Sequence, residues 1–212
     1  YGGLIYASTA EDNITLTLSN TIKAPWYKLS QDGTEKWINP IDSPAPLGEI
    51  ESKTFIYTSA KKNLQATNYS DVKKFAEELD TFSSDLNDFY ARDEDSSGSL
   101  NRKSTDPSIP NHKHRVVNDI AISKGGAHSG YPVMWINFDP DSTKIAQNPL
   151  NSWTLWHEVG HNAAESPFAI DGSGEVVNNL LGLYMQDKHL KKMNRVERSL
   201  RIVKDQIEAE TG

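Results

Sequence analysis

Apolar side chains recur at helical spacing over two long parts of the chain. After Ser70 they are spaced by three and four residues: Val72, Phe75, Leu79, Phe82, Leu86 and Phe89. Such a stripe predicts an amphipathic helix whose apolar face lies across a sheet. A second stripe, beneath a basic face, comprises Met193, Val196, Leu200, Val203 and Ile207. It predicts a further helix that packs against an apolar surface.

Shorter apolar runs predict the strands of that sheet. They are rich in β-branched, aliphatic and aromatic side chains and occupy residues 2–7, 13–18, 54–58, 115–122 and 133–138. Residues 20–50 differ, because they are rich in Pro, Gly, Asp and Trp and show no sustained apolar period. We therefore interpret residues 20–50 as a long structured loop.

The composition is ordinary for a soluble protein, and it excludes some functions. Of the 212 residues, 36% are hydrophobic and 24% are charged, and no run reaches the roughly 18 apolar residues of a membrane-spanning helix. The net charge of −7 argues against a nucleic-acid partner. The acidic run 71–95 and the basic run 187–204 are interpreted as solvated helix faces. The chain has no cysteine, which leaves its redox compartment open.

The region around residue 157 combines a helix signal with a chemical motif. Pro149 and the candidate N-cap Ser152 precede an apolar stripe, which predicts a helix over residues 152–165. The stripe consists of Trp153, Leu155, Trp156 and Val159. The same segment reads His157-Glu158-Val159-Gly160-His161, which is an H-E-x-x-H motif.

This motif suits a zinc site. Two residues four apart project from one face of a helix, so the imidazoles of His157 and His161 can bind a single Zn²⁺. Glu158 lies on the flank of that face, where its carboxylate can take a proton from an activated water without binding the metal. The alternative is a helix that carries two hydrogen-bonded histidines and no metal.

A catalytic zinc site built on two histidines needs a third protein ligand. The metzincin pattern requires Gly at position 164 and His at position 167, where the chain has Ala164 and Pro167. Glu165 lies about 12 Å along the helix from the first histidine, too far to share its metal. Asp171 is a possible ligand, and Glu175 is a better one because it opens a second helical run.

The run that begins at Glu175 keeps helical character as far as Tyr184. Asn178 and Asn179 fall within about 60° of Glu175 around that helix. Amide side chains at these positions suit a second shell that orients a metal-binding carboxylate. An acidic residue is also favourable at a helix N-terminus without any metal, and this simpler role for Glu175 stays open.

The motif at His157–Asn162, followed by Glu175 and the helical run after it, resembles the enhancin-like zinc peptidases, which are gluzincins. Three upstream segments resemble the same family, namely Gly2–Tyr6, Ala24–Tyr27 and Gly126–Met134. The last of them is similar to the branch of secreted bacterial mucinases and accessory colonisation factor lipoproteins. One segment departs from the pattern, because residues 44–49 read Pro-Ala-Pro-Leu-Gly-Glu where an Ala-Pro-Trp-like element is expected.

The resemblance implies an α+β zincin fold with a small twisted sheet, an active-site helix and a helical lower lobe. We expect a single catalytic domain over residues 1–212, with an upper lobe of about 1–165 and a lower lobe of about 166–212. The implied function is that of a secreted or surface-displayed bacterial peptidase that holds one Zn²⁺ per chain and acts on mucin-like O-glycosylated proteins. We expect a monomer that forms a piece of a longer protein, with Asn162 as a further second-shell residue.

A glycine-rich segment leads into the strand predicted at residues 133–138. In zinc peptidases of this architecture that strand is expected to border the cleft as an edge strand, which offers backbone groups to an extended substrate. Gly126 and Gly130 allow a ligand to approach the backbone closely. His128 and Tyr131 are candidates for substrate contact or for stabilising the tetrahedral oxyanion. A structural turn with a hydrogen-bonded histidine is the alternative for this segment.

Other polar groups carry weaker signals. Residues 93–98 mimic the start of a calcium loop, but Ser104 stands where a bidentate Glu is required, which favours a polar loop without metal. His112 and His114 are interpreted as surface residues. Two other functions stay open for the chain. One is a gluzincin of ordinary peptide specificity, and the other is a non-catalytic module that binds glycoproteins.

Overall fold

The computed structural model describes residues 3–7, 14–30, 32–38, 42–64, 69–90, 113–119, 121–122, 125–135, 148–164 and 171–191. The strands in these ranges are β1 (Trp26–Lys28), β2 (Lys36–Ile38), β3 (Leu47–Glu51), β4 (Phe55–Ala60), β5 (His114–Asn118), β6 (Ala127–His128) and β7 (Val133–Trp135). The α-helices are α1 (Lys61–Leu64), α2 (Tyr69–Phe89), α3 (Trp153–Ala163) and α4 (Gly174–Met185). A 3₁₀ turn, Pro149–Asn151, precedes α3, and a π-helical turn, Gln186–Leu190, follows α4.

The strands form one mixed sheet in the order β2-β1-β3-β4-β5-β7-β6. The pairs β1–β3, β4–β5 and β5–β7 are parallel. The pairs β1–β2, β3–β4 and β6–β7 are antiparallel. Among the described strands, β2 and β6 therefore form the two edges of the sheet.

Helix α2 confirms the helix predicted after Ser70. Its stripe is buried, with Val72, Phe75, Leu79, Phe82 and Leu86 at most 6% exposed, while Phe89 is partly buried. The ring of Phe75 packs against Tyr57 of β4 at 5.0 Å between centroids, and Phe82 packs against Phe55 of β4 at 5.8 Å. The helix thus lies across the centre of the sheet, where each buried apolar side chain contributes about 1.5–3 kcal/mol.

Residues 20–50 contain β1, β2 and most of β3, so the loop predicted there is wrong. β1 has three residues, of which Tyr27 alone is buried, and such a strand is too short to show an apolar period. In β3, Gly48 permits a close approach between strand and neighbours. A Cβ on Gly48 would lie 2.7 Å from Leu64 Cδ1 and 2.9 Å from Pro25 Cβ.

The chain before β1 belongs to no strand in its described part, so the strands predicted at residues 2–7 and 13–18 are wrong there. The apolar side chains that suggested strands, including Ile5 and Leu16, are 65% and 57% exposed. Tyr6 attaches the first segment to the sheet, because its hydroxyl donates to Glu49 Oε1 at 2.5 Å. The apolar residues of these two segments alternate as in a strand. Because the segments pair with no described strand, their side chains stay exposed.

The strands predicted at 54–58 and 115–122 are confirmed in part, since β4 and β5 occupy residues 55–60 and 114–118. His114 is 7% exposed and its ring lies 4.7 Å from that of Phe55. Its interpretation as a surface residue is therefore wrong. The calcium-like loop at 93–104, His112 and the helix predicted around 193–207 lie outside the described residues.

The π-helical turn after α4 is anchored to α2 by a buried carboxylate. The Asp85 carboxylate forms an ion pair with Lys188, with 2.6 Å between Oδ1 and Nζ. Its Oδ2 lies 2.5 Å from His189 Nε2. The hydrogen bond to Asp85 raises the pKa of Lys188 above its ordinary value.

Side chains of the sheet, α2, α3 and α4 share one buried apolar cluster. No helix in the described part of the chain is long and apolar enough to cross a bilayer.

Candidate metal centre and active site

Helix α3 carries the H-E-x-x-H motif and begins where the sequence predicts. Ser152 is its N-cap, because the Ser152 hydroxyl accepts a hydrogen bond from the amide of Leu155 at 3.3 Å. The indole Nε1 of Trp156, which is 1% exposed, donates to the carbonyl of Pro149 at 2.7 Å. The helix predicted over 152–165 is thus confirmed over 153–163, and Glu165 lies outside the described residues.

Two glycines let α4 pack closely against α3. A Cβ on Gly160 of α3 would lie 2.4 Å from Asn178 Oδ1 and 2.8 Å from Leu181 Cδ2. A Cβ on Gly182 of α4 would lie 2.7 Å from the ring of Trp153. Both contacts are shorter than a real Cβ tolerates. The close crossing brings the N-terminus of α4 beside the histidines of α3.

Three potential ligand atoms converge at this crossing. His157 Nε2 lies 3.1 Å from His161 Nε2 and 3.0 Å from Glu175 Oε2. His161 Nε2 lies 3.3 Å from Glu175 Oε1. Ligand atoms on a tetrahedral Zn²⁺, with bonds of about 2.0–2.1 Å, are about 3.3–3.4 Å apart. The two imidazole nitrogens and the carboxylate therefore fit one zinc ion, in the donor set of a catalytic site with three protein ligands.

Burial differs among the three side chains. The side chains of His157 and His161 are 16% and 23% exposed, whereas that of Glu175 is 74% exposed. The two histidines are thus held in the protein, and the glutamate closes the triangle from the solvent side. A site with one open flank is what a catalytic zinc requires, because water or substrate must reach the fourth position.

The other ligand candidates do not join this cluster. Within the described ranges, His157, His161 and Glu175 form the one group of three histidine or acidic side chains with ligand atoms within 4.8 Å of one another. Asp171 is exposed in the turn before α4. Between the two candidates left open by the sequence, the structure therefore brings Glu175 to the histidines.

Glu158 stands next to a proposed metal ligand on α3. It is half-buried on α3. Its carboxylate makes no hydrogen bond or ion pair with another residue of the described part of the chain. A carboxylate in this position is able to accept a proton from a water molecule held at the metal site.

None of the three amides interpreted as second-shell residues bonds to the Glu175 carboxylate among the described contacts, and two of them have other partners. Asn162 bonds to the backbone of Gly130. Asn178 is fully buried and its Oδ1 accepts a hydrogen bond from the hydroxyl of Tyr90 at 2.8 Å. Asn179 is exposed and forms no hydrogen bond within the residues described. Asn178 therefore joins α2, α3 and α4 and does not orient the Glu175 carboxylate.

Among the described strands, β6 is the edge strand beside the site, so the prediction that the strand at 133–138 forms the edge is wrong for residues 133–135. β7, which covers residues 133–135, lies between β5 and β6. The chain turns back after β6, so that His128 pairs with Met134 and Ala127 with Trp135. Residues 136–138 lie outside the described residues. Among the described strands, Ala127 and His128 therefore form the outer edge of the sheet.

The remaining predicted site residues surround this edge. Gly126 borders open space, since a Cβ there would meet no atom of the described residues within 4 Å. His128 Nδ1 lies 2.9 Å from the carbonyl oxygen of Ser129, and its Nε2 is buried without a hydrogen-bond partner among the described residues. Tyr131 is 41% exposed. Gly130 has a φ of +127°, a conformation that favours glycine.

Sequence reasoning missed the residues that hold α3 and α4 together, namely Gly160, Gly182 and Tyr90. A signal was available for the glycines. Glycine in a helix interior costs about 1 kcal/mol relative to alanine, so two glycines inside two predicted helices indicate a close approach of backbones. No comparable signal marks Tyr90, because its partners lie 70 and 88 residues away in the chain.

Comparisons with known proteins agree with this geometry. The family model for peptidase M60, enhancin and enhancin-like, matches residues 20–211. The accessory colonization factor AcfD of Vibrio cholerae is 56% identical over 214 residues, which cover 100% of this chain and 14% of that protein. The putative lipoprotein YghJ of Escherichia coli is 50% identical over 216 residues, with coverage of 100% and 14%. This chain thus spans 14% of the length of these relatives.

A solved structure shares the fold. The ZmpB metallopeptidase from Clostridium perfringens superposes with a TM-score of 0.52 at 16% identity, over 74% of this chain and 29% of that chain. The predicted α+β architecture of a mixed sheet with helices is thereby confirmed.

Proposed function

The chain belongs to the peptidase M60, enhancin and enhancin-like, family, and we propose that it is a zinc-dependent endopeptidase acting on mucin-like O-glycosylated proteins. The observation that carries this proposal is the convergence of His157, His161 and Glu175, whose ligand atoms lie 3.0–3.3 Å apart. Glu158, which has no hydrogen bond or ion pair with the described residues, lies beside them and completes the groups that peptide hydrolysis needs.

In the proposed reaction, three residues bind the metal and Glu158 transfers the proton. His157 Nε2, His161 Nε2 and the Glu175 carboxylate would hold Zn²⁺, which when bound polarises the scissile carbonyl and lowers the pKa of water toward about 7. Glu158 takes a proton from the water whose oxygen attacks the carbonyl carbon. Glu158 then delivers that proton to the leaving amine nitrogen as the C–N bond breaks. A non-catalytic module has no chemical need for a glutamate at this position beside the metal ligands.

The edge strand suggests how an extended substrate binds. β6 presents outward-facing backbone groups, and a peptide that pairs with them adds a strand to the sheet. In this proposal the substrate pairs with β6, whereas the sequence alone suggests pairing with the strand at 133–138, which contains β7. His128 Nδ1 lies 2.9 Å from the Ser129 carbonyl and its Nε2 is buried, so the backbone of His128, and not its ring, is the group that an extended substrate reaches.

Open space next to the edge strand supports a glycosylated substrate. Gly126 immediately precedes β6 and has no atom within 4 Å of its Cβ position. A sugar attached to a substrate Ser or Thr needs room and hydrogen-bond partners more than an apolar pocket. The similarity to AcfD and YghJ, named as a colonization factor and a putative lipoprotein of bacteria, supports action at or outside the cell surface. We propose that the chain works there as a monomer.

One paired assay separates this function from its two alternatives. The purified chain is given one peptide with and without an O-linked glycan, and chelator-treated protein serves as the blank. Faster cleavage of the glycopeptide supports the proposal, because binding energy from the sugar is expressed in the transition state. Equal or faster cleavage of the bare peptide would indicate a gluzincin of ordinary specificity. Binding of the glycopeptide without cleavage would indicate a binding module.

A further inference from the structure

One side chain of the metal-binding helix satisfies both backbone polar groups of a residue next to the edge strand. The Asn162 Oδ1 accepts a hydrogen bond from the amide of Gly130 at 3.0 Å. The Asn162 Nδ2 donates to the carbonyl of Gly130 at 2.8 Å. Both distances are those of good hydrogen bonds. Gly130 lies in the connection between β6 and β7, so this pair links the sheet edge to α3.

The pairing of the edge strand with the sheet is short. β6 has two residues, and its pairing with β7 consists of Ala127 with Trp135 and His128 with Met134. A pairing of two residues is too short to fix a strand on its own. The connection must also keep Gly130 at a φ of +127°, a conformation outside the normal range for other residues. The attachment at Gly130 therefore adds a second restraint on β6 beside its pairing with β7.

We propose that Asn162 is a positioning residue that sets the place of β6 relative to the metal site. Asn162 directly follows His161 in the chain, so the link runs from a proposed metal ligand to the substrate edge through one residue. This inference rests on the proposed function to the extent that β6 binds the extended substrate. Asn162 acts on substrate binding through Gly130 and touches neither the metal nor the reacting atoms.

The same contacts revise the role expected for Gly130. Its N–H and C=O are both engaged by Asn162, so they are not free to bind substrate. The backbone groups that remain for an extended peptide are those on the outer side of Ala127 and His128. Gly130 is required for the conformation of the connection, and Gly126 borders the space where a ligand fits.

The test compares substrates of two lengths on Asn162→Ala, Asn162→Asp and a control. The control is Asn151→Ala, because Asn151 is exposed just before α3 and its side chain makes no hydrogen bond among the described residues. For a glycopeptide long enough to lie along β6, Asn162→Ala should raise KM by about 10- to 30-fold, the loss expected for two hydrogen bonds. Its kcat and its zinc content should stay near wild type.

The short substrate distinguishes positioning from a general structural role. A small amide substrate that ends at the scissile bond does not reach β6, so its kcat/KM should be unchanged in Asn162→Ala. Asn162→Asp should fall between Asn162→Ala and wild type, since a carboxylate still accepts from the Gly130 amide but offers no donor to its carbonyl. Equal losses on both substrates, a loss of zinc, or no change in KM would overturn the proposal.

A second readout does not depend on cleavage. Hydrogen exchange of the segment 125–135 in the zinc-loaded protein should become about tenfold or more faster in Asn162→Ala, and not in Asn151→Ala, because the Gly130 amide loses its acceptor. Unchanged exchange would overturn the proposal whether or not the chain is active. If exchange rises but neither peptide is cut by the wild-type chain, the proposed function fails while the attachment of β6 by Asn162 stands.

Discussion

Gly160 of α3 and Asn178 of α4 approach so closely that a Cβ on Gly160 would lie 2.4 Å from Asn178 Oδ1. The same oxygen accepts a hydrogen bond from the hydroxyl of Tyr90 at the end of α2, at 2.8 Å. Asn178 lies three residues after Glu175 on α4. The contact therefore sets the distance between the helix that carries the histidines and the helix that carries the third ligand.

Replacing Gly160 tests this packing. Gly160→Ala should lower the free energy of unfolding by roughly 1–2 kcal/mol, because overpacking against Asn178 and Leu181 outweighs the better helix propensity of alanine. The displaced α4 should also bind zinc more weakly. Chemical denaturation and chelator competition measure the two effects. Gly126→Ala is the control, since its Cβ meets no atom within 4 Å and should change stability by less than about 0.5 kcal/mol.

The identity of the third metal ligand is tested by comparing two acidic residues near the start of α4. Glu175→Ala should weaken zinc binding by more than about 100-fold, because loss of outer-shell partners alone typically costs 10- to 100-fold. Asp171→Ala removes a similar charge outside the cluster and should bind zinc as the wild type does. Zinc affinity is measured by competition with a chromophoric chelator. Wild-type affinity in Glu175→Ala would remove Glu175 from the ligand set.

Glu158 is expected to affect chemistry without affecting metal binding. Glu158→Gln is nearly isosteric and leaves His157, His161 and Glu175 in place, so zinc content and thermal stability should be preserved. Its kcat should fall by about 10²- to 10⁴-fold, the usual contribution of a general base. Zinc analysis and steady-state kinetics on one preparation measure both properties. A variant that still cuts near the wild-type rate would place the base elsewhere.

The open space at Gly126 is expected to hold part of a glycan. The Cβ of Gly126→Val meets no described atom within 4 Å, so folding and zinc binding should survive. Cleavage of a glycopeptide should slow by about tenfold, the effect of losing one or two hydrogen bonds, while cleavage of the bare peptide should change little. A paired kcat/KM measurement on the two peptides checks this. Equal slowing of both peptides would place the glycan somewhere else.

The parts of the fold that the sequence predicts are those specified by local pattern. The apolar stripe of α2 is long enough to show its period, and Ser152 marks the start of α3 by its capping hydrogen bond. The spacing of His157 and His161 on one helix follows from helix geometry. Glu175 was the preferred third ligand for the same local reason, because it opens the next helical run.

The parts that could not be predicted depend on contacts between distant segments. β1 and β2 have three residues each, and they are strands because β1 pairs with β3 and β2 pairs with β1. Ile5 and Leu16 have the pattern of a strand but no partner in the described part of the chain. The position of β6 outside β7 depends on the turn at Gly130, which Asn162 attaches to α3 across 32 residues of sequence.

The central claim is that one zinc at His157, His161 and Glu175 makes this chain a peptidase. Its most direct test is a metal titration of the chelator-stripped chain, in which cleavage of an O-glycosylated peptide is followed as zinc is added back. The account predicts no cleavage without metal, a linear rise in rate to one zinc per chain, and a plateau beyond it. Glu158→Gln treated in the same way should bind the zinc and stay inactive. Cleavage by the metal-free chain at the rate of the restored one would contradict the account.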